Sequence, residues 1–135
     1  MSTEFSMTNL HRDVANAAEQ YGLPDGFEAH FAKSELDARE LGVSLQTLAP
    51  GEQMPFAHRH REQPEEIYVV VRGSGTVTVD GVDHPVATWD ALHVAGRVTR
   101  VFAAGDEGLE YLAFGRIQPP NDSELVEVDG AATAE

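Results

Sequence analysis

Gly51-Glu52-Gln53-Met54-Pro55-Phe56-Ala57-His58-Arg59-His60, followed after a short gap by Glu65-Glu66-Ile67-Tyr68-Val69-Val70-Val71-Arg72-Gly73, is the stretch that decides the architecture of this chain. Residues two apart on a strand project to the same side, so His58 and His60 can reach one point together. A carboxylate from the following run can join them, and two imidazoles with one carboxylate suit a divalent transition metal. The reading is a metal-site signature on a β-scaffold.

The neighbouring sequence has the same character. Phe27, Ala29 and Phe31 alternate with other residues, and Leu41–Leu48 forms a run that ends at Pro50-Gly51. Further short runs are expected at Glu66–Arg72, Thr76–Asp80, Val82–Thr88, Ala91–Ala95, Val98–Ala103 and Leu109–Phe114. Gly73-Ser74-Gly75, Asp80-Gly81 and Gly105-Asp106-Glu107-Gly108 stand between them as turn signals, so neighbouring strands should be antiparallel. Short strands at close spacing predict an all-β sandwich or barrel. Only Asn9–Tyr21 reads as helix: Val14, Ala17, Ala18 and Tyr21 share a face, Asn9 or Asp13 caps it, and Gly22 with Pro24 ends it.

The strand from Glu66 is apolar on both sides, with Tyr68 and Val70 on the Glu66 face and Ile67, Val69 and Val71 on the other. Such a strand needs cover outside the barrel, from the N-terminal segment or from a second copy, and a homodimer is the expectation. The 135 residues suit one domain, divided as an N-terminal segment with a short helix (1–25), a barrel (26–117) and an acidic, partly disordered tail (118–135), whose first part can pack as a strap.

With 23 acidic residues against 9 basic ones, the formal charge is -14, and Lys33 is the sole lysine. So acidic a surface argues against nucleic acid or an anionic membrane as partner, and acid excess with scarce lysine fits a halophilic protein. Cysteine is absent, which removes disulfides and thiolate ligands. Neither a leader-like start nor a long apolar span is present, so the expected location is cytoplasmic.

The glycine, HxH, glutamate and glycine of the opening stretch resemble the first motif of the cupin superfamily. Glu66 has the family's six residues between it and Gly73, which makes it the matching glutamate, with Glu65 as runner-up. The gap from His60 to Glu66 is one residue longer than the family pattern; a bulge at Pro64 would absorb the excess. Trp89-Asp90-Ala91-Leu92-His93-Val94-Ala95-Gly96-Arg97-Val98-Thr99-Arg100-Val101-Phe102 looks like the second motif, where the family's fourth ligand is a histidine. Anchoring on Phe102 sets Arg100 there, and counting from Gly96 sets Thr99 there, so that ligand is missing.

The resemblance covers roughly residues 40 to 115 and implies an antiparallel double-stranded β-helix, the jelly-roll barrel of cupins, with the short N-terminal helix added. Its implied metal ligands are His58, His60 and Glu66, holding iron, manganese, zinc or nickel, for oxygenase- or isomerase-like chemistry on a small anionic ligand. Guanidinium cannot ligate a metal, so Arg100 either handles an anionic ligand or pairs with Glu66 in a metal-free binding module. Tyr68 is a donor into the cavity or simply core. Glu62 and Gln63 are mouth-loop residues expected to be solvated, with Gln63 retained as a ligand contact. Trp89 is expected to pack at a barrel end, and His84 and His93 are substitute histidines more often bland strand positions. A phosphate loop and a nucleophile elbow are both lacking: Gly73-x-Gly75 joins strands, and Gly42-x-Ser44-x-Gln46 lacks its second glycine.

Overall fold

A computed structural model describes residues 4–128. Its strands are β1 (Phe27–Phe31), β2 (Leu41–Leu48), β3 (Phe56–His60), β4 (Glu65–Val79), β5 (Val82–Ala87), β6 (Ala91–Ala95), β7 (Arg100–Arg116) and β8 (Ser123–Glu127), all paired antiparallel. One short helix, α1 (Lys33–Leu36), links β1 to β2.

Two strands are far longer than their sequence signals suggested. Gly73-Ser74-Gly75 and the Gly105–Gly108 segment are not turns: β4 and β7 run through them, with ladder irregularities between Val70 and Arg72 and between Gly73 and Gly75. These are corners at which a strand changes sheet. The first half of β4 and the second half of β7 lie with β1, β2 and β6 in one layer, while their other halves lie with β5, β3 and β8 in a second. The expected strands Glu66–Arg72 and Thr76–Asp80 are therefore one, as are Val98–Ala103 and Leu109–Phe114. Asp80-Gly81 is the real hairpin, between Val79 and Val82, with φ of 47° and 83° at its two central residues.

The helix expected over Asn9–Tyr21 is reduced to a 3₁₀ turn at Glu19–Tyr21. Side-chain competition for backbone N–H groups explains this. The Asn9 side chain accepts from His11 and Arg12 N–H, and Asn16 Oδ1 accepts from Ala18 and Ala29 N–H, which ties this segment to β1 as an isolated bridge to His30. Val14 and Ala18 are buried, so the apolar residues of the pattern found the core without a helix.

Between the layers lie Phe27, Leu48, Tyr68, Val70, Val77, Phe102, Leu109 and Tyr111. The Tyr68, Phe102 and Tyr111 rings contact one another at centroid distances of 4.0 to 5.7 Å. Alternation along β4 follows the expectation: Tyr68 and Val70 are buried, and Ile67 on the outer face is 39% exposed. Within the segment expected as tail, β8 pairs with β3; of the last ten or so residues, expected to be disordered, Val126 and Glu127 belong to that strand and 129–135 lie outside the described residues. Among the described residues no helix is long and apolar enough to cross a membrane.

Candidate metal centre

Both layers contribute side chains to one end of the interior. From the second layer, β3 presents His58 and His60, and Arg100 of β7 is the register partner of His58. From the first layer, β4 presents Glu66 and Tyr68, and β7 presents Tyr111 and Ala113. His58, His60 and Glu66 each offer one ligand atom within 4.8 Å of the others. They line a cavity of about 280 Å³. A larger cleft of about 710 Å³, between the β4–β5 hairpin and β8, holds no histidine and only acidic and threonine side chains as polar candidates beside Gln53.

Asp122, just before β8, fixes His60. Its Oδ2 lies 3.0 Å from His60 Nδ1, and its carboxylate also accepts from the Glu62 and Gln63 N–H groups. Burial pushes the Asp122 carboxyl up, but these hydrogen bonds outweigh it and hold the group below the usual range. A carboxylate accepts only, so Asp122 draws an N–H of His60 to Nδ1 and turns Nε2 towards Glu66 Oε1 at 3.3 Å. Buried Nε2 has no hydrogen-bond partner there. A metal ion between Nε2 and the Glu66 carboxylate would be met by both, and a histidine oriented by a carboxylate on its other nitrogen is the usual support of a metal ligand.

His58 completes the set as a neutral imidazole. Burial first, and the Arg100 charge second, lower its pKa from the ordinary 6.5 to about 4. Burial pushes the Glu66 carboxyl up, but the adjacent His60, the Tyr68 hydrogen bond and the Arg100 charge outweigh it and hold the group below its usual range. Tyr68 Oη donates to Glu66 Oε1 at 2.5 Å, and burial with the adjacent carboxylate raises the phenol well above its ordinary value. Tyr68 is therefore a fixed donor that orients Glu66.

Arg100 is fully buried. Its Nη1 donates to the Val98 and Gly96 carbonyls at 2.9 and 3.1 Å, while Nη2 is 3.4 Å from Glu66 Oε1, an ion pair without hydrogen-bond geometry. Nε and Nη2 thus remain unpartnered donors at the site. Thr99, the other position considered for the fourth ligand, lines the opposite cleft.

The gap before Glu66 is absorbed by the loop 61–64, pinned to Asp122, rather than by a bulge within a strand. Glu65 faces outward, where its carboxylate meets exposed His93 at 2.8 Å. His84 is exposed, and so is Trp89, which sits at a turn with φ of 75° instead of packing at a barrel end. Glu62 is exposed as expected, but Gln63 is buried: its Nε2 donates to the Arg116 carbonyl and its Oε1 has no partner. Asp122 escaped sequence reading because it lies in a stretch of prolines and acids that carries no periodic signal.

The His58 shift gives a pH prediction for the metal-free protein. The unfolded chain takes up this proton near pH 6.5 and the folded chain only near 4, so stability falls as pH drops through that window. The complete loss is on the order of 3 kcal/mol, and Glu66, whose pKa is depressed, loses stability in the same direction. Urea midpoints at pH 7 and pH 4 on chelator-treated protein should show the drop, and His58→Gln should largely flatten it.

A sequence profile described as Cupin domain matches residues 44–115. Among curated proteins, the chain is 35% identical over 82 residues to dimethylsulfoniopropionate lyase DddW of Ruegeria pomeroyi, covering 61% of this chain and 51% of the lyase. It is 40% identical over 60 residues to auxin-binding protein 1 of Arabidopsis thaliana, covering 44% of this chain and 29% of that protein. The chain thus spans about half the length of the first and less than a third of the second. Among solved structures, a cupin protein from Bacteroides fragilis superposes with a TM-score of 0.69 at 21% identity, covering 89% of each chain, a likeness of fold.

Proposed function

Given that the chain belongs to the cupin family, we propose that it holds a divalent metal ion through His58, His60 and Glu66 and acts on a small anionic organic ligand beside it. The observation that carries this is the convergence of ligand atoms from His58, His60 and Glu66 within 4.8 Å of one another, with buried His60 Nε2 left without a hydrogen-bond partner. Iron, manganese, zinc and nickel all accept two imidazoles and a carboxylate. When bound, such an ion supplies Lewis acidity that polarises a ligand oxygen. Arg100, with Nε and Nη2 unpartnered, attracts the anionic group of the ligand, and Tyr68 keeps Glu66 ionised and oriented. Similarity to a lyase of dimethylsulfoniopropionate, itself a carboxylate, supports a small carboxylate as ligand.

A second reading rests on the 3.4 Å Arg100–Glu66 contact: the guanidinium takes the place of the metal, and the barrel binds its ligand without turnover. Elemental analysis of protein purified without a metal-affinity tag separates the two. Near-stoichiometric metal, lost in a His58→Ala, His60→Ala variant, supports the metal centre; no metal after incubation with divalent ions leaves the binding module. Arg100→His, which removes a positive charge and adds an imidazole, should tighten metal binding at least about tenfold, read by chelator competition.

The outer row of β4, with Ile67 39% and neighbouring Phe114 40% exposed, supports a homodimer, and sedimentation should report twice the chain mass. The acid excess supports a halophilic protein, whose melting temperature should rise from dilute buffer to molar salt.

A further inference from the structure

The metal ligands stand at one end of a cavity whose remaining walls are mostly carbon. Phe56 lies two residues before His58 on the same face of β3, and Leu125 of β8 is the ladder partner of His58, so both stand next to the ligand set. Across the interior, Phe31, Ser44 and Ala113 are successive ladder partners on β1, β2 and β7, and Ala113 pairs in turn with Tyr68. The small side chains of Ser44 and Ala113 thus separate two rings along one row. Before β1, the 3₁₀ turn at Glu19–Tyr21, closed by left-handed Gly22, brings Tyr21 and Leu23 to the same opening, with the Tyr21 and Phe31 rings 5.3 Å apart.

The chemistry of these walls sets what can sit between them. Among the described residues, no lysine or arginine side chain lines the cavity. Outside the metal ligands and the core phenols Tyr68 and Tyr111, its polar side chains are Ser44 and Gln46, bonded to each other at 3.2 Å, and Ser123. An anionic group therefore finds a cation only at the ligand end, where the ion would stand and the Arg100 charge lies beside Glu66. A second anionic group would lie against carbon, losing its water without gaining a partner, in a protein of net charge -14. Tyr21, Phe31 and Leu125 are large apolar side chains left exposed at this same cavity. Apolar walls with a few polar groups gathered at one end are the makeup of a small-molecule site, and exposed apolar side chains around it mark its mouth.

We propose that the ligand is a monocarboxylate with an apolar body, its carboxylate at the metal centre and its body against Phe56 and Leu125 from one layer and Phe31 from the other, beside Tyr21. The polarity of the cavity orients such a molecule, since only one of its ends finds charge. This inference rests on the proposed metal-centre reading and narrows its ligand class.

The test measures phenylacetate, acetate and succinate by calorimetry on the metal-loaded full chain, with metal content determined in parallel. Phenylacetate is expected to bind at least about tenfold more tightly than acetate, which carries the same charge without the body. Succinate, which places a second charge where the body would lie, should bind no more tightly than acetate. The double variant Phe31→Ser, Leu125→Ser, at two exposed positions, should bring phenylacetate down to the acetate level with metal content unchanged. Equal binding of phenylacetate and acetate by metal-loaded protein, or succinate as tight as phenylacetate, overturns the apolar-body inference alone. So does a double variant that keeps the preference; if its sedimenting mass also changes, the exposed side chains serve a second copy of the chain instead of a ligand. Protein that takes up no metal overturns the metal-centre reading, and this inference with it.

Discussion

Arg100→Met is expected to destabilise the protein by about 3–5 kcal/mol, enough to lower the melting temperature by roughly 10–20 °C. Methionine fills much of the volume, so the loss is electrostatic. The side chain is fully buried and satisfies the Gly96 and Val98 carbonyls that shape the turn into β7. It is also the fixed cation beside Glu66, whose carboxylate is otherwise met only by the Tyr68 hydroxyl. Its guanidinium carbon lies 6.0 Å from the Tyr68 ring centre, close enough for a modest further attraction. Removing one partner of a buried pair leaves the other uncompensated, which costs more than removing both. Adding Glu66→Gln to Arg100→Met should therefore recover about 1–3 kcal/mol, measured as a coupling energy from urea midpoints of the four proteins. Strict additivity would mean that Arg100 acts through the two carbonyls and not through Glu66.

That charge arrangement was partly legible from the residues. The HxH spacing placed His58 and His60 on one face, and the interval from Glu66 to Gly73 selected Glu66 over Glu65; the structure has Glu66 inside and Glu65 out with His93. Arg100 stood in the fourth-ligand position by its distance from Phe102, and it is the ladder partner of His58. Asp122 was beyond reach, because a residue that supports a ligand from a distant segment leaves no periodic trace: its contact with His60 spans 62 positions.

The fold was legible in class and less so in its strands. Alternation of Phe27, Ala29 and Phe31 and a series of short apolar runs separated by turn signals pointed to strands at close spacing, which is why the antiparallel barrel followed. Glycine, however, marks both a turn, where the chain reverses, and a bulge, where it only bends. Asp80-Gly81 was the former; Gly73-Ser74-Gly75 and Gly105–Gly108 were the latter, and only the long-range ladder between β4 and β7 distinguishes them. The N-terminal helix failed for a related reason: helical spacing of Val14, Ala17 and Ala18 was real, but Asn16 found better acceptor work against β1 than within a helix.

The two motif glycines carry the last prediction, since they are required for different physical reasons. Gly51 has φ of 76°, and a methyl group there meets nothing within 4 Å, so Gly51→Ala should cost only the left-handed strain, about 1–2 kcal/mol. Gly73 has φ of 80°, and in addition its added methyl would overlap the Gly108 carbonyl at the point where β4 and β7 change sheet together. Overlap with backbone cannot be relieved by a side-chain rotation, so about 1–3 kcal/mol of overpacking adds to the strain, and Gly73→Ala should lose about 4 kcal/mol. Gly75 supplies the control: its φ is not left-handed, yet a methyl there would run into the Ala103 carbonyl, so Gly75→Ala isolates the overlap. Denaturant midpoints should rank Gly51→Ala mildest and Gly73→Ala most severe. If Gly73→Ala cost no more than Gly51→Ala, the corner would be loosely packed, and Gly73 would serve the left-handed backbone conformation alone.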